Sequence, residues 1–151
     1  MRRMFIIAGA VFTLDQVTKW LVLNMLDLQH FREINVFPPF LNLRMAWNYG
    51  INFGLLDISR WVLIGIAVAI SVWIVWWMRR EPRVMARVSA GVLIGGAMGN
   101  VLDRLIHGAV ADFLNMSCCG IDNPYAFNVA DIAIFAGAVG LIIFTGEKKT
   151  T

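Results

Sequence analysis

The chain is predicted to be an all-α polytopic membrane protein, with four transmembrane helices and a small extracytoplasmic β-sheet between the first and second helices. Three observations carry this expectation: an apolar composition, four long apolar runs, and basic residues gathered into a few short stretches. Of the 151 residues, 59% are hydrophobic and 15% charged, and the mean hydropathy is +0.69. Soluble domains are roughly half apolar and a quarter charged, so this composition points to a membrane protein of one compact domain, residues 1–151.

The longest uninterrupted apolar run, residues 61–78, holds 18 residues without a charge. As a helix that is enough to cross about 30 Å of hydrocarbon. Three weaker runs, 4–23, 88–106 and 127–144, are interrupted by a few charged or amide side chains. Such residues usually face a bundle interior, so these runs also count as spans. Helices are therefore expected at about 4–23, 61–78, 87–106 and 127–145, with outer segments at 24–60 and 107–126. The first run is expected to be a retained helix. Arg2 and Arg3 resemble the start of a signal peptide, but Asp15 and Lys19 break the apolar stretch and no A-x-A-like site follows.

Charge placement sets the orientation. Arg2, Arg3, Arg79, Arg80, Arg83, Arg87, Lys148 and Lys149 make eight of the 13 basic residues, and all flank the termini or the 79–87 loop. By the positive-inside rule these three regions are cytoplasmic, which an even number of spans also requires. The net charge of +3 then reflects topology, and no nucleic-acid partner is expected. Cys118 and Cys119 are the only cysteines; being adjacent, they make no disulfide framework, and neither has a zinc-ligand spacing. No role is assigned to them.

In the first helix, Asp15 and Lys19 stand at i, i+4 with Thr18 beside them, as a self-neutralising intramembrane ion pair would. At about 1.5 Å per residue, Asp15 is expected near mid-bilayer, far from Asp112 and Asp131. In the outer segment, residues 41–48 nearly alternate apolar and polar, the period of a half-buried strand. Pro38-Pro39 marks its start, and Asn48-Tyr49-Gly50-Ile51-Asn52-Phe53-Gly54 follows with turn-forming residues. In the second helix, Trp73, Trp76 and Trp77 next to Arg79-Arg80 read as an interfacial aromatic belt.

The third helix repeats Gly91, Gly95 and Gly99 every four residues, so another helix can approach its backbone closely. Beyond them Asn100, Asp103, Arg104 and His107 share one face. Asp103 beside Arg104 reads as a structural pair, and His107 as a packing or interfacial residue. The fourth helix opens at Phe127-Asn128-Val129-Ala130-Asp131, where Asn128 can be the N-cap and Asp131 the acid of a capping box.

Asp112 and Asp131 lie on either side of the loop joining the last two helices. Taken singly, Asp112 reads as a solvated loop carboxylate and Asp131 as a cap. Two carboxylates at the same lip of a hydrocarbon layer are costly, which favours a functional explanation. Carboxyl groups sharing a site split their pKa values, leaving one protonated and one ionised near neutral pH. Such a pair activates water without a metal or cofactor, and none is expected here.

The order Asp15-Gln16-x-x-Lys19, Asn48-x-Gly50-x-x-Phe53, Gly99-Asn100-x-x-Asp103-Arg104, Val110-x-Asp112-Phe113 and Phe127-Asn128-x-Ala130-Asp131 resembles bacterial lipoprotein signal peptidase (signal peptidase II). The resemblance runs from about residue 11 to 144, nearly the whole chain. It implies an aspartic endopeptidase of the bacterial inner membrane that cleaves prolipoproteins just before the lipid-modified lipobox cysteine, at the extracytoplasmic side. By the same resemblance Asp112 and Asp131 are the catalytic pair. Asn48, Gly50, Asn100, Arg104 and Asn128 would bind substrate or line the site, with Asp103 supporting it. Asp15 and Lys19 would be structural, and residues around 30–57 would form the outer sheet, or cradle. The expected partners are lipidated prolipoproteins and membrane lipid, around a monomer. Asn52 departs from the Ala that the family often carries before Phe53, which bears on the shape of the substrate groove. The competing readings are a small proton-coupled transporter, which predicts acids near the midplane of both halves, and a non-enzymatic membrane scaffold.

Overall fold

A computed structural model describes residues 1–38, 40–50, 59–120 and 123–146. Five helices and three strands follow one another. Helix α1 (Arg2–Trp20) runs into a π-helical turn, Leu21–Met25, and a short α2 (Leu28–Phe31) follows. Strands β1 (Glu33–Phe37) and β2 (Leu41–Asn48) lead to α3 (Arg60–Met78) and α4 (Val84–Ile106), then β3 (Val110–Asn115) and α5 (Val129–Thr145). Among the described residues, three helical stretches are long and apolar enough to cross a membrane: Arg2–Met25, Arg60–Met78 and Val84–Ile106. The fourth apolar helix, α5, has 17 residues. A helix thus lies along each of the four apolar runs. The segment 51–58, including Asn52, Phe53 and Gly54, lies outside the described residues, as do Pro39, Lys148 and Lys149.

Helix α4 is the centre of the bundle, because its small residues let two neighbours reach its backbone. A Cβ at Gly91 or Gly95 would run into the α1 carbonyls of Met4 and Ala8, and one at Gly99 into the Asp15 carboxylate. On the next face, a Cβ at Gly96 would meet the Ala130 carbonyl of α5. Backbones this close gain van der Waals contact where lipid supplies no hydrophobic drive. Met4, Ala8, Ile74, Met78, Ala90, Leu93 and Leu141 then form an apolar core shared by α1, α3, α4 and α5. At that end Arg83 grips Glu81 at 2.6 Å and donates to the carbonyls of Thr145 and Gly146, capping the end of α5. The outward faces stay apolar: Phe5, Ile6, Trp73, Phe135 and Ile142 are all exposed. An exposed apolar girdle of this extent marks a membrane surface.

The sheet differs from the expected one in one respect that positions the candidate site. Residues 41–48 are a strand as predicted, and β1 pairs with it antiparallel. The third strand, however, comes from the segment between α4 and α5, so the sheet order is β1-β2-β3 and Asp112 sits on a strand, not a loop. A run of VADFLN alternates too imperfectly to announce a strand, since Val110, Ala111, Asp112 and Phe113 are all buried. Phe113 enters a second core with Val22 and Leu28 under the sheet, while Asp112, one residue earlier, points to the other face. Cys118 and Cys119, given no role from the sequence, bond to each other as a vicinal disulfide in the loop beyond β3.

Candidate active site

Strand pairing begins to build the site. In the β2–β3 ladder Ala46 faces Asp112 and Asn48 faces Val110, so Asn48 and Asp112 are diagonal neighbours on one face. The Asn48 amide donates to Asp112 Oδ2 at 3.1 Å, and its own Oδ1 accepts the Gly50 N–H at 3.2 Å. On the other side of β3, Leu114 and Phe127 exchange backbone hydrogen bonds of 2.8 and 3.0 Å. That bridge carries Asn128 to Asp112 and starts α5 against the sheet.

Asn128 then ties the two acids together. It is the N-cap of α5, with Asp131 completing a capping box, as the sequence suggested. Its backbone N–H donates to Asp131 Oδ2 at 3.2 Å, while its side-chain amide donates to Asp112 Oδ1 at 2.6 Å. Asn128 is fully buried and so is its bond to Asp112, while the bond to Asp131 is partly buried. Asp131 therefore divides its oxygens: Oδ2 caps the helix, and Oδ1 accepts from the Asn100 amide at 2.9 Å.

Asp112 is only 3% exposed. Burial pushes its carboxyl up to about 7, and the nearby Asp131 pushes in the same direction, against hydrogen bonds from Asn48 and Asn128 and the Lys19 cation. Arg104 lies within the field of both acids and donates to the carbonyls of Asn100 and Gly50 at 3.3 and 3.4 Å. Its Nε is buried without a hydrogen-bond partner among the described residues. His107 is exposed and packs against the Trp47 ring at 5.4 Å.

Two expectations need correction. Asp103 does not pair with Arg104, because adjacent helical residues point about 100° apart. It pairs across the bundle with Lys19, whose Nζ lies 2.7 Å from Asp103 Oδ2 and 2.8 Å from Asp15 Oδ2. Asp15 is also not remote from the acid pair: its Oδ1 accepts the backbone N–H of Ala130, next to Asp131, at 2.9 Å. Counting residues along α1 could not anticipate this, because the first turn of α5 reaches down to the level of Asp15. Gln16, missed as a site residue, bridges Asp15 and Asp103 at 3.0 and 3.2 Å. Its signals in the sequence are its polarity beside Asp15 in an apolar helix and its place in the Asp15-Gln16-x-x-Lys19 motif.

Residues 7–146 match the family model described as signal peptidase (SPase) II. The chain belongs to the signal peptidase II family. It is 42% identical over 153 residues to the lipoprotein signal peptidase of Alteromonas mediterranea, covering 95% of this chain and 82% of that one. It is 39% identical over 142 residues to the lipoprotein signal peptidase of Methylobacterium sp. strain 4-46, covering 91% and 85%. A bacterial membrane enzyme solved by the in meso method at 1.9 Å resolution superposes with a TM-score of 0.83 at 29% identity, over 99% of this chain and 96% of that one. The family is one of proteases, and its fold here is that of a membrane protein.

Proposed function

We propose that the protein is an intramembrane aspartic endopeptidase that removes the signal peptide from prolipoproteins, cutting immediately before the diacylglyceryl-modified lipobox cysteine. The observation that carries this reading is the sharing of Asn128 by Asp112 and Asp131, at 2.6 and 3.2 Å. Family membership and the names of the relatives support the substrate class.

Amide hydrolysis needs a base for the attacking water and an acid for the departing nitrogen. With its carboxyl pushed up to about 7, Asp112 is the member that holds a proton near neutral pH. Asp131 takes a proton from water as the water oxygen bonds to the scissile carbonyl carbon, and Asp112 protonates the carbonyl oxygen. As the C–N bond breaks, Asp131 passes its proton to the nitrogen and Asp112 recovers its own from the diol. Arg104, whose buried Nε has no partner among the described residues, and Asn48 are suited to hold the substrate backbone or the developing oxyanion. Gly50, Asn100 and Asp103 shape and support the site. The sheet forms the cradle over the emerging peptide, at the extracytoplasmic end of a four-span monomer in the bacterial inner membrane, with both termini in the cytoplasm. Clustering of the acids at one end of the bundle fits this reading better than a transporter.

The test is cleavage of a lipobox peptide carrying a diacylglyceryl cysteine by purified protein in detergent or lipid. Wild type is expected to release the signal peptide at that bond, with chelator present or absent. Asp112→Asn and Asp131→Asn are each expected to lose activity by at least about a thousandfold while staying folded. Near-normal turnover in either variant would overturn the aspartic mechanism.

A further inference from the structure

Lys19 was expected to do no more than neutralise Asp15, yet it contacts three groups that lead to both acids of the pair. Its Nζ approaches Asp15 Oδ2 at 2.8 Å, Asp103 Oδ2 at 2.7 Å and Asn100 Oδ1 at 3.2 Å, which uses all three ammonium donors. Each contact continues into the site. Asp103 Oδ2 accepts the backbone N–H of Ala111 at 3.2 Å, the residue before Asp112. Asp15 Oδ1 accepts the backbone N–H of Ala130 at 2.9 Å, the residue before Asp131. Asn100, its oxygen turned toward Lys19 and the Asn128 amide, presents its NH2 to Asp131 Oδ1 at 2.9 Å. A reversed Asn100 amide would point donors at an ammonium and at another NH2, so the cation fixes which end faces Asp131.

We propose that Lys19 is a positioning residue for the hydrolytic reaction, setting the separation and hydrogen bonding of Asp112 and Asp131 through Asp103, Asp15 and Asn100. The inference rests on the function proposed above. Lys19 itself, 3% exposed and one shell away from the acids, does not touch substrate. A purely structural ion pair would affect folding alone; a positioning residue affects the chemical step in molecules that are already folded.

The experiment measures kcat and KM per folded molecule, and melting temperature, for wild type, Lys19→Met, Lys19→Arg, Asn100→Ala and the Lys19→Met/Asn100→Ala double variant on the lipidated peptide. Lys19→Met is expected to lower kcat by about ten- to a hundredfold, as misplacement of catalytic groups does, with KM within about twofold of wild type. Lys19→Arg should recover part of that loss. Because Lys19 acts partly through Asn100, the double variant should fall well short of the product of the two single losses. If Lys19→Met is too unstable to assay, the same cycle is run in an Asp15→Asn background, which leaves only Asp103 without its cation. A lower melting temperature with unchanged kcat, or losses that multiply, would overturn the inference alone. A wild-type protein that does not cut the peptide would overturn the proposed function and this inference with it.

Discussion

At the scale of single residues, the proposed mechanism depends on keeping one buried carboxyl protonated beside another that accepts two hydrogen bonds. Asp112 carries the consequence, since burial and the neighbouring acid push it up to about 7. As the proposed proton donor it must be protonated, so kcat/KM is expected to fall as pH rises through about 7; a profile flat to pH 9 would remove Asp112 from that role. Stability has the same sign. The folded-state value lies above the ordinary 3.8, so the bound proton favours the folded state at low pH, and this contribution is lost as pH rises through about 7. The burial cost relieved by Asp112→Asn at pH 8 is no more than about 4 kcal/mol. Its melting temperature relative to wild type should therefore be higher at pH 8 than at pH 5. An equal difference at both pH values would mean that Asp112 does not titrate in this range.

At the scale of elements, the glycines of α4 determine how deeply α1 and α5 seat, and hence whether Asp15 and Ala130 meet. A Cβ at Gly95 would press on the Ala8 carbonyl, and one at Gly99 on the Asp15 carboxylate itself. Gly95→Ala is expected to cost about 1–3 kcal/mol in stability, and Gly99→Ala to reduce turnover as well, because Asp15 must move. Gly9 and Gly65 provide the contrast: nothing lies near an added Cβ there, so alanine should leave the melting temperature unchanged or slightly higher. Equal losses at Gly9 and Gly95 would show that intrinsic helix propensity, not close packing, governs these positions. The 3.6-residue period made the Gly91/Gly95/Gly99 face legible in the sequence, but not its partner, which is α1.

At the scale of the whole molecule, the distribution of basic residues and the outer sheet together predict one active face. Reporter fusions after residue 30 and after residue 120 are both expected to report an extracytoplasmic location, with both termini reporting a cytoplasmic one. A cytoplasmic signal at residue 30 or 120 would sink the four-span topology and place the acids on the other side of the membrane.

The helices, the β2 strand, the Asn128 cap and the pairing of Asp15 with Lys19 were determined by the sequence alone, because each follows from contacts only a few residues apart. Hydrophobic runs, alternation and i, i+4 spacing act over one or two turns. The third strand, the Lys19–Asp103 pair and the Asp15 contact with Ala130 were decided by tertiary structure. These join residues 84 and 115 positions apart, as with Lys19–Asp103 and Asp15–Ala130. No local pattern encodes such distances. They exist because small residues on α4 let two helices close in and draw polar groups together, where a buried charge is tolerable only when paired.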